Sequence, residues 1–170
     1  SCAAGVWQGV WKISDFFASG FSAVLGVILL PKISRELSKK EFWSMFNPIL
    51  AKMFGLVFAT IVAVYFCRSF VVPLMLSKSY SAVADYMLIQ LVGDFFCFFW
   101  WALGLVLVAR QETLKFIVAE FAGNLYLLFG TILFSKMFEF NGPMLAYASE
   151  NILYFVGLFI VVRRLKWNTP

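Results

Sequence analysis

The chain has 170 residues, of which 62% are hydrophobic and 14% are charged, whereas an average soluble domain is roughly 45–50% apolar and about one quarter charged. So few polar side chains cannot cover the surface of a water-soluble fold, and the composition predicts an integral membrane protein. The net charge of +5 does not indicate a nucleic-acid partner, because the basic residues stand at the ends of apolar runs rather than in one patch with aromatic residues.

Five apolar stretches are long enough to cross a bilayer, since a spanning helix needs about 20 mostly apolar residues. The first ends at Pro31 and a basic loop, and the second is followed by a less regular segment around Pro73. The third and fourth meet at 110–113, and a turn at 141–143 precedes the fifth. These runs lack the alternation of a membrane β-barrel, so we predict an all-α integral membrane bundle of about five transmembrane helices. The predicted helices are 3–30, 43–67, 81–109, 112–135 and 143–163.

Lysine and arginine are distributed unequally between the two ends of these helices. One end collects nine of them and the other end three, and cytoplasmic loops normally carry the excess. We therefore expect the first helix to start outside and the C-terminus to lie in the cytoplasm. The nine are Lys32, Arg35, Lys39, Lys40, Arg110, Lys115, Arg163, Arg164 and Lys166, and the three are Arg68, Lys78 and Lys136.

Ionisable side chains also lie inside the predicted spans, where each would cost about 3 kcal/mol on insertion scales. Such a cost favours an interior or watery location over a lipid-facing one. On the first helix, polar residues recur with the spacing of a single helical face, which we name the polar stripe. The polar stripe consists of Gln8, Lys12, Asp15, Ser19 and Ser22. The other ionisable residues that we predict to lie well inside the spans are Asp94, Glu120 and Glu150.

Polar faces on the third, fourth and fifth helices add to the polar stripe, and two interpretations of them stay open. In the first, the polar faces form interhelical hydrogen bonds and ion pairs that only hold the bundle together. In the second, the polar faces converge on a hydrophilic cavity for a polar solute. In the second case Asp94, Glu120 and Glu150 are candidates for coupling to an ion or proton. The faces contain Gln90, Asp94, Cys97 and Trp101, then Glu120 and Asn124, then Tyr147, Glu150 or Asn151, and Tyr154.

Enzymatic and metal chemistry find little support in the sequence. Histidine is absent, and the three cysteines lie far apart in or beside apolar segments. The loops hold only scattered acids, without the paired acids that a membrane-embedded transferase would need. We therefore predict no catalytic residue, no metal site and no cofactor.

Two short segments resemble a known family. Gly5–Asp15 reads GVWQGVWKISD and Leu30–Ser34 reads LPKIS, similar to the Gly-x-Trp-Gln, Lys-Ile-Ser-Asp and Leu-Pro-x-x-Ser signature of Wzx-type flippases of lipid-linked oligosaccharide. Gln90–Asp94 and 109–120 resemble the same family, which includes the common-antigen and O-antigen flippases. The family belongs to the multidrug/oligosaccharidyl-lipid/polysaccharide exporter superfamily, whose members have roughly twelve helices in two lobes. The resemblance implies that this chain is the last five helices, a partial C-terminal lobe that lacks its N-terminal lobe.

The resemblance also implies a function and a place for it. The expected substrate is a polyprenyl-pyrophosphate-linked glycan, translocated across the bacterial inner membrane by alternating access. Lys12 would attract the pyrophosphate, while Gln8, Asp15 and Ser19 would bind sugar hydroxyls or hold Lys12. Two alternatives remain open, an exporter of the same superfamily with another cargo, such as a drug or another lipid precursor, and a non-transporting membrane scaffold subunit.

Overall fold

The computed structural model describes residues 2–35, 37–75, 83–165 and 167. Of residues 2–4, 6, 24, 83 and 140 it describes only the backbone. Within these ranges the chain is helical and contains no strand, and five of its helical spans are long and apolar enough to cross a membrane. The predicted all-α membrane bundle is confirmed. The elements are α1 (Cys2–Ile28), α2 (Leu30–Ile33), α3 (Lys39–Phe66), α4 (Arg68–Met75), α5 (Val83–Ala109), α6 (Thr113–Phe138), a 3-10 turn (Glu139–Asn141) and α7 (Gly142–Arg164).

The start of α3 differs from the sequence prediction by one helical turn. The Ser38 hydroxyl accepts from the backbone N–H of Glu41, and the Glu41 carboxylate accepts from the Ser38 backbone N–H at 2.9 Å. This reciprocal capping box satisfies two of the free N–H groups at the helix start. The helix therefore begins at Lys39 rather than at 43. Lys78 and Lys166 lie outside the described residues, as do residues 81–82 at the predicted start of the third helix.

The connection between α6 and α7 depends on a close backbone approach at Gly142. A Cβ atom there would overlap the backbone of Phe134 and Ser135, so any other residue would push the two helices apart. The opposite connection, between α5 and α6, turns through Gln111, whose φ of 58° lies in the left-handed region. Both turns are short, and they keep α5, α6 and α7 adjacent.

α5 is the central helix of the described bundle. It packs against α7 and α1 most extensively and also against α3, whereas α6 packs mainly on α7. Of the most apolar stretch of each helix, 61% is buried in α5 and only 6% in α6. The long apolar side chains of α6 therefore face outward, where lipid is the solvent.

Two apolar clusters are separated by a layer of buried polar side chains. One cluster lies toward the basic end and includes Phe42, Leu107 and Leu158, while the other lies toward the opposite end and includes Ile13 and Met87. The buried polar residues fall between the clusters along α1, α5 and α7. They are Ser14, Asp94 and Asn151, while a fourth buried polar residue, Gln90, lies one turn before Asp94 and next to Leu91 of the second cluster.

Candidate functional site

The polar stripe of α1 faces outward. Its five residues are all exposed, and the opposite side of the same helix buries Val10, Ile13 and Ser14 against α5 and its neighbours. Within the described ranges, no ion pair joins Lys12 to Asp15. The stripe therefore presents a free cation and a free carboxylate on a surface otherwise available to lipid, water or another segment of protein.

The two serines of the stripe have their hydroxyl donors satisfied by their own helix. Ser19 Oγ donates to the Phe16 carbonyl and Ser22 Oγ to the Ser19 carbonyl, each at 3.0 Å. Back-bonding of this kind removes the need for a partner helix while leaving the oxygen able to accept. Hydroxyls arranged in this way can face either lipid or a bound solute.

Asp94 lies in the middle of the buried polar layer. It accepts hydrogen bonds from Ser14 Oγ at 2.7 Å and from Tyr147 OH at 2.9 Å, one on each carboxylate oxygen. The three residues belong to α1, α5 and α7, so one carboxylate ties three helices together. Gly93 makes room for this contact, because a Cβ there would lie 2.6 Å from the Tyr147 ring.

Ser14 is a functional neighbour that the sequence analysis missed. It falls on the same face as Val10 and Ile13, so the apolar periodicity of α1 hid it. Asp94 and Tyr147 were each assigned to polar faces, but the spacing within one helix does not reveal a partner on another. The buried layer thus unites α1, α5 and α7, while the polar stripe stays outside it.

Glu120 and Glu150 form a second acidic region, between α6 and α7. Tyr154 OH donates to Glu120 Oε1 at 2.9 Å. Glu150 lies against Gly123, where a Cβ would come within 2.9 Å of its Oε1. Both acids are partly buried, and no lysine or arginine of the described ranges forms an ion pair with either.

A cavity of about 510 Å³ opens between α1, α5 and α6. Its walls are mainly apolar and aromatic, including Trp100, Trp101 and Phe116, and its polar groups come from Ser22 and Glu120. Ligand pockets are commonly of this size and character. Ser22 belongs to both the cavity and the polar stripe, so the two features adjoin.

The sequence analysis did not identify Lys52 as a cation inside a predicted span. Lys52 lies in the middle of α3 and is exposed, and it forms no ion pair with any described acid. An exposed lysine at this depth carries the same insertion cost as Lys12. The signal was present in the sequence as a charged residue in an otherwise apolar run. The described residues hold no cluster of three His, Cys, Asp or Glu side chains that could bind a metal ion.

Comparison with known proteins finds a similarity to flippases. The chain is 29% identical over 163 residues to the lipid III flippases of Escherichia coli (strain K12) and Shigella flexneri. The predicted resemblance to the flippases is confirmed. The match covers 94% of this chain but 39% of each relative, so the chain spans about two fifths of the length of these lipid III flippases.

The other comparisons give no match. No family model matches the chain, and no solved structure resembles it significantly. Both relatives are named as flippases, in agreement with the prediction that this chain is not an enzyme. Their similarity and the five membrane-length helices identify a multi-pass membrane protein.

Proposed function

We propose that this chain is part of a flippase that carries a polyprenyl-pyrophosphate-linked oligosaccharide across the bacterial inner membrane by alternating access. The observation that carries the proposal is the outward polar stripe of α1, with its unpaired Lys12, on a bundle similar to lipid III flippases along 94% of its length. The remainder of a longer protein, corresponding to an N-terminal lobe, completes the translocation path. The basic end of the bundle is cytoplasmic in this proposal, and so is the C-terminus.

The charge of the substrate explains why an exposed polar face is needed. A pyrophosphate carries more than one negative charge, and moving even one unpaired charge into hydrocarbon is prohibitive. A path with fixed hydrogen-bonding groups and a cation removes most of this barrier. Lys12 is the cation, while Gln8, Asp15 and Ser19 hydrogen-bond to sugar hydroxyls along the same face.

The outward direction of the polar stripe supports a cavity shared between two lobes rather than one enclosed in this bundle. A polar face that were buried within five helices would have its hydrogen bonds satisfied by them, as Asp94 does with Ser14 and Tyr147. The polar stripe instead keeps Lys12 and Asp15 available. The second lobe, facing this stripe, encloses the glycan, while the polyprenyl chain stays in lipid.

Three acids are candidates for ion coupling, and their different surroundings decide which of them should be tested first. Asp94 is buried and engaged by two hydroxyl donors, so it fits a role in joining helices. Glu150 lies between α6 and α7 against Gly123. Glu120 lines the open cavity beside Ser22, and we therefore propose Glu120 as the first residue to test for coupling.

The central test is Lys12→Ala in the full-length protein. We expect export of the lipid-linked glycan to fail in a strain that depends on it, because the fixed positive charge is lost, while the amount of protein in the membrane stays unchanged. Lys12→Arg should retain partial export. Lys136→Ala is the matched control, because Lys136 is an exposed lysine near the end of α6, away from the polar stripe.

Two outcomes would contradict the proposal. Normal export by Lys12→Ala would remove Lys12 from the mechanism. Transport of a drug but of no defined lipid-linked glycan by the reconstituted wild-type protein would assign the chain to an exporter of another cargo.

A further inference from the structure

The basic end of the bundle contains an arginine held between two aromatic rings. The guanidinium of Arg163, in the last turn of α7, lies 4.9 Å from the centroid of the Trp43 ring and 4.8 Å from that of Phe159. Arg163 is exposed, and no described residue accepts a hydrogen bond from it. The rings fix the guanidinium in place while its N–H donors stay available.

Trp43 contributes an aromatic ring to this site but no accessible donor. Its indole N–H is buried, and no hydrogen-bond partner reaches it among the described residues. Lys39 precedes Trp43 by one helical turn on the same face of α3, and Arg164 follows Arg163. The site has donors and positive charge, and none of the side chains named here offers an acceptor.

An apolar track on α7 leads directly to this site. Leu153, Val156 and Ile160 are exposed by 56%, 47% and 45%, and they precede Arg163 by ten, seven and three residues on one helical face. Trp43 and Arg163 both lie within a turn or two of a helix end, which is the level of the lipid headgroups. Hydrocarbon chains can therefore lie along the track while a charged head reaches the arginine.

We propose that Trp43 and Arg163 form a binding site for the phosphate of an anionic membrane phospholipid, whose acyl chains lie along Leu153, Val156 and Ile160. The phosphate oxygens accept from the exposed guanidinium, and Lys39 and Arg164 add positive charge. This site is separate from the polar stripe and does not depend on the flippase proposal.

Arg68 provides a matched contrast at the other end of the bundle. Its guanidinium also lies over an aromatic ring, 4.3 Å from the centroid of Tyr65. It differs because its Nη1 donates to the Tyr65 carbonyl at 2.8 Å, so the chain itself supplies an acceptor. An aromatic–arginine pair with a local acceptor has less need of a lipid phosphate.

The test is a titration of the purified protein, in mixed detergent micelles, with phosphatidylglycerol or with phosphatidylcholine of the same acyl chains. Binding is followed by lipid retention in native mass spectrometry and by the midpoint of thermal unfolding. We expect phosphatidylglycerol to bind more tightly, and Arg163→Gln to weaken it about fivefold, as expected for loss of one basic residue near an anionic surface. Arg68→Gln should leave the preference unchanged.

Further variants separate the parts of the site. Arg163→Lys keeps the charge but loses the planar stacking, so binding should fall between that of the wild type and Arg163→Gln. Trp43→Phe keeps an aromatic wall but weakens the cation–π contact with the guanidinium, so it should weaken phosphatidylglycerol binding; unchanged binding would overturn Trp43 as a residue that positions Arg163. Because Arg163 is exposed, its substitutions leave the fold intact, and circular dichroism verifies this for them and for Trp43→Phe.

Three results would overturn the proposal. Equal affinity for the two lipids would exclude an anionic headgroup site. An equal loss of binding in Arg68→Gln and Arg163→Gln would show a nonspecific charge effect. Full stabilisation by glycerol phosphate alone would assign the site to a soluble anion instead of a membrane lipid.

Discussion

The outer surfaces of α1 and α6 are both widely exposed, yet their chemistry is opposite. On α1 the exposed face contains Gln8, Lys12, Asp15, Ser19 and Ser22. On α6 the exposed middle is made of side chains such as Phe121, Leu128 and Phe129, exposed by 67%, 56% and 64%. Exposure alone therefore does not say what lies outside a membrane helix. The apolar face of α6 matches lipid, and the polar face of α1 requires water, solute or another protein segment.

The contrast is tested most directly by the reactivity of introduced thiols. In a variant of the full-length protein without its native cysteines, Ser19→Cys should react with a membrane-impermeant polar thiol reagent, because a wet cavity admits the reagent. Leu128→Cys, on the exposed apolar face of α6, should stay unlabelled. Both variants are compared in intact membranes. An unreactive Cys at both positions would place the polar stripe against lipid or a sealed partner.

A lysine scan gives the next largest effect. Leu128→Lys should lower the stability of the protein in a bilayer by about 3 kcal/mol, the cost of a lysine near the centre of a lipid-facing helix. Ser19→Lys should cost much less if the stripe faces water. The measurement is the amount of folded protein in the membrane and its unfolding in lipid nanodiscs. Equal losses for the two variants would remove the distinction between the faces.

The buried polar layer sharpens the comparison because it fixes which face of α1 points outward. Asp94→Ala removes the acceptor for Ser14 and Tyr147, and leaving buried hydroxyls unpaired costs about 1–3 kcal/mol. We expect a lower midpoint of thermal unfolding. Asp85→Ala, an exposed aspartate in the first turn of the same helix, is the control and should change little. A stable Asp94→Ala protein would show that the layer does not hold α1.

The smallest expected effect is that of Ser14→Ala. It deletes the hydrogen bond between α1 and Asp94 but leaves Tyr147 in place, so about 1 kcal/mol of stability should be lost. Combined with Ser19→Cys, it should also change the rate of thiol labelling, because α1 is freer to rotate. An unaltered labelling rate would indicate that apolar packing alone sets the rotation of α1.

The length and hydropathy of the apolar runs were enough to predict five spanning helices, because hydrocarbon allows few other structures. The start of α3 was missed because the capping box of Ser38 and Glu41 is a local hydrogen-bond motif outside the apolar run. Periodicity identified the polar stripe as one face. It did not reveal the direction of that face, since a single helix does not say which neighbour covers it.

The contacts within the buried polar layer were not predictable from the spacing of residues along one helix either. The spacing along α5 and α7 put Asp94 and Tyr147 on polar faces, but their contact depends on how the helices pack. Ser14 was not predicted because its neighbours on that face of α1 are apolar. Lys52 was not predicted because the residues around it form a strongly apolar run. Whether Gln8, Lys12, Asp15 and Ser19 bind a glycan stays a prediction.

The helices of the bundle differ in length, and the difference bears on the thickness of the host membrane. α7 has 23 residues and α3 has 28, so at 1.5 Å per residue they extend about 35 Å and about 42 Å. A hydrocarbon layer of about 30 Å nearly matches α7, whereas α3 must tilt or extend its first turn among the headgroups. Because the Ser38 cap adds that turn on the basic side, the excess length of α3 carries Lys39 and Lys40 above the acyl chains. Thinning of the bilayer would therefore strain α3 before it strained α7.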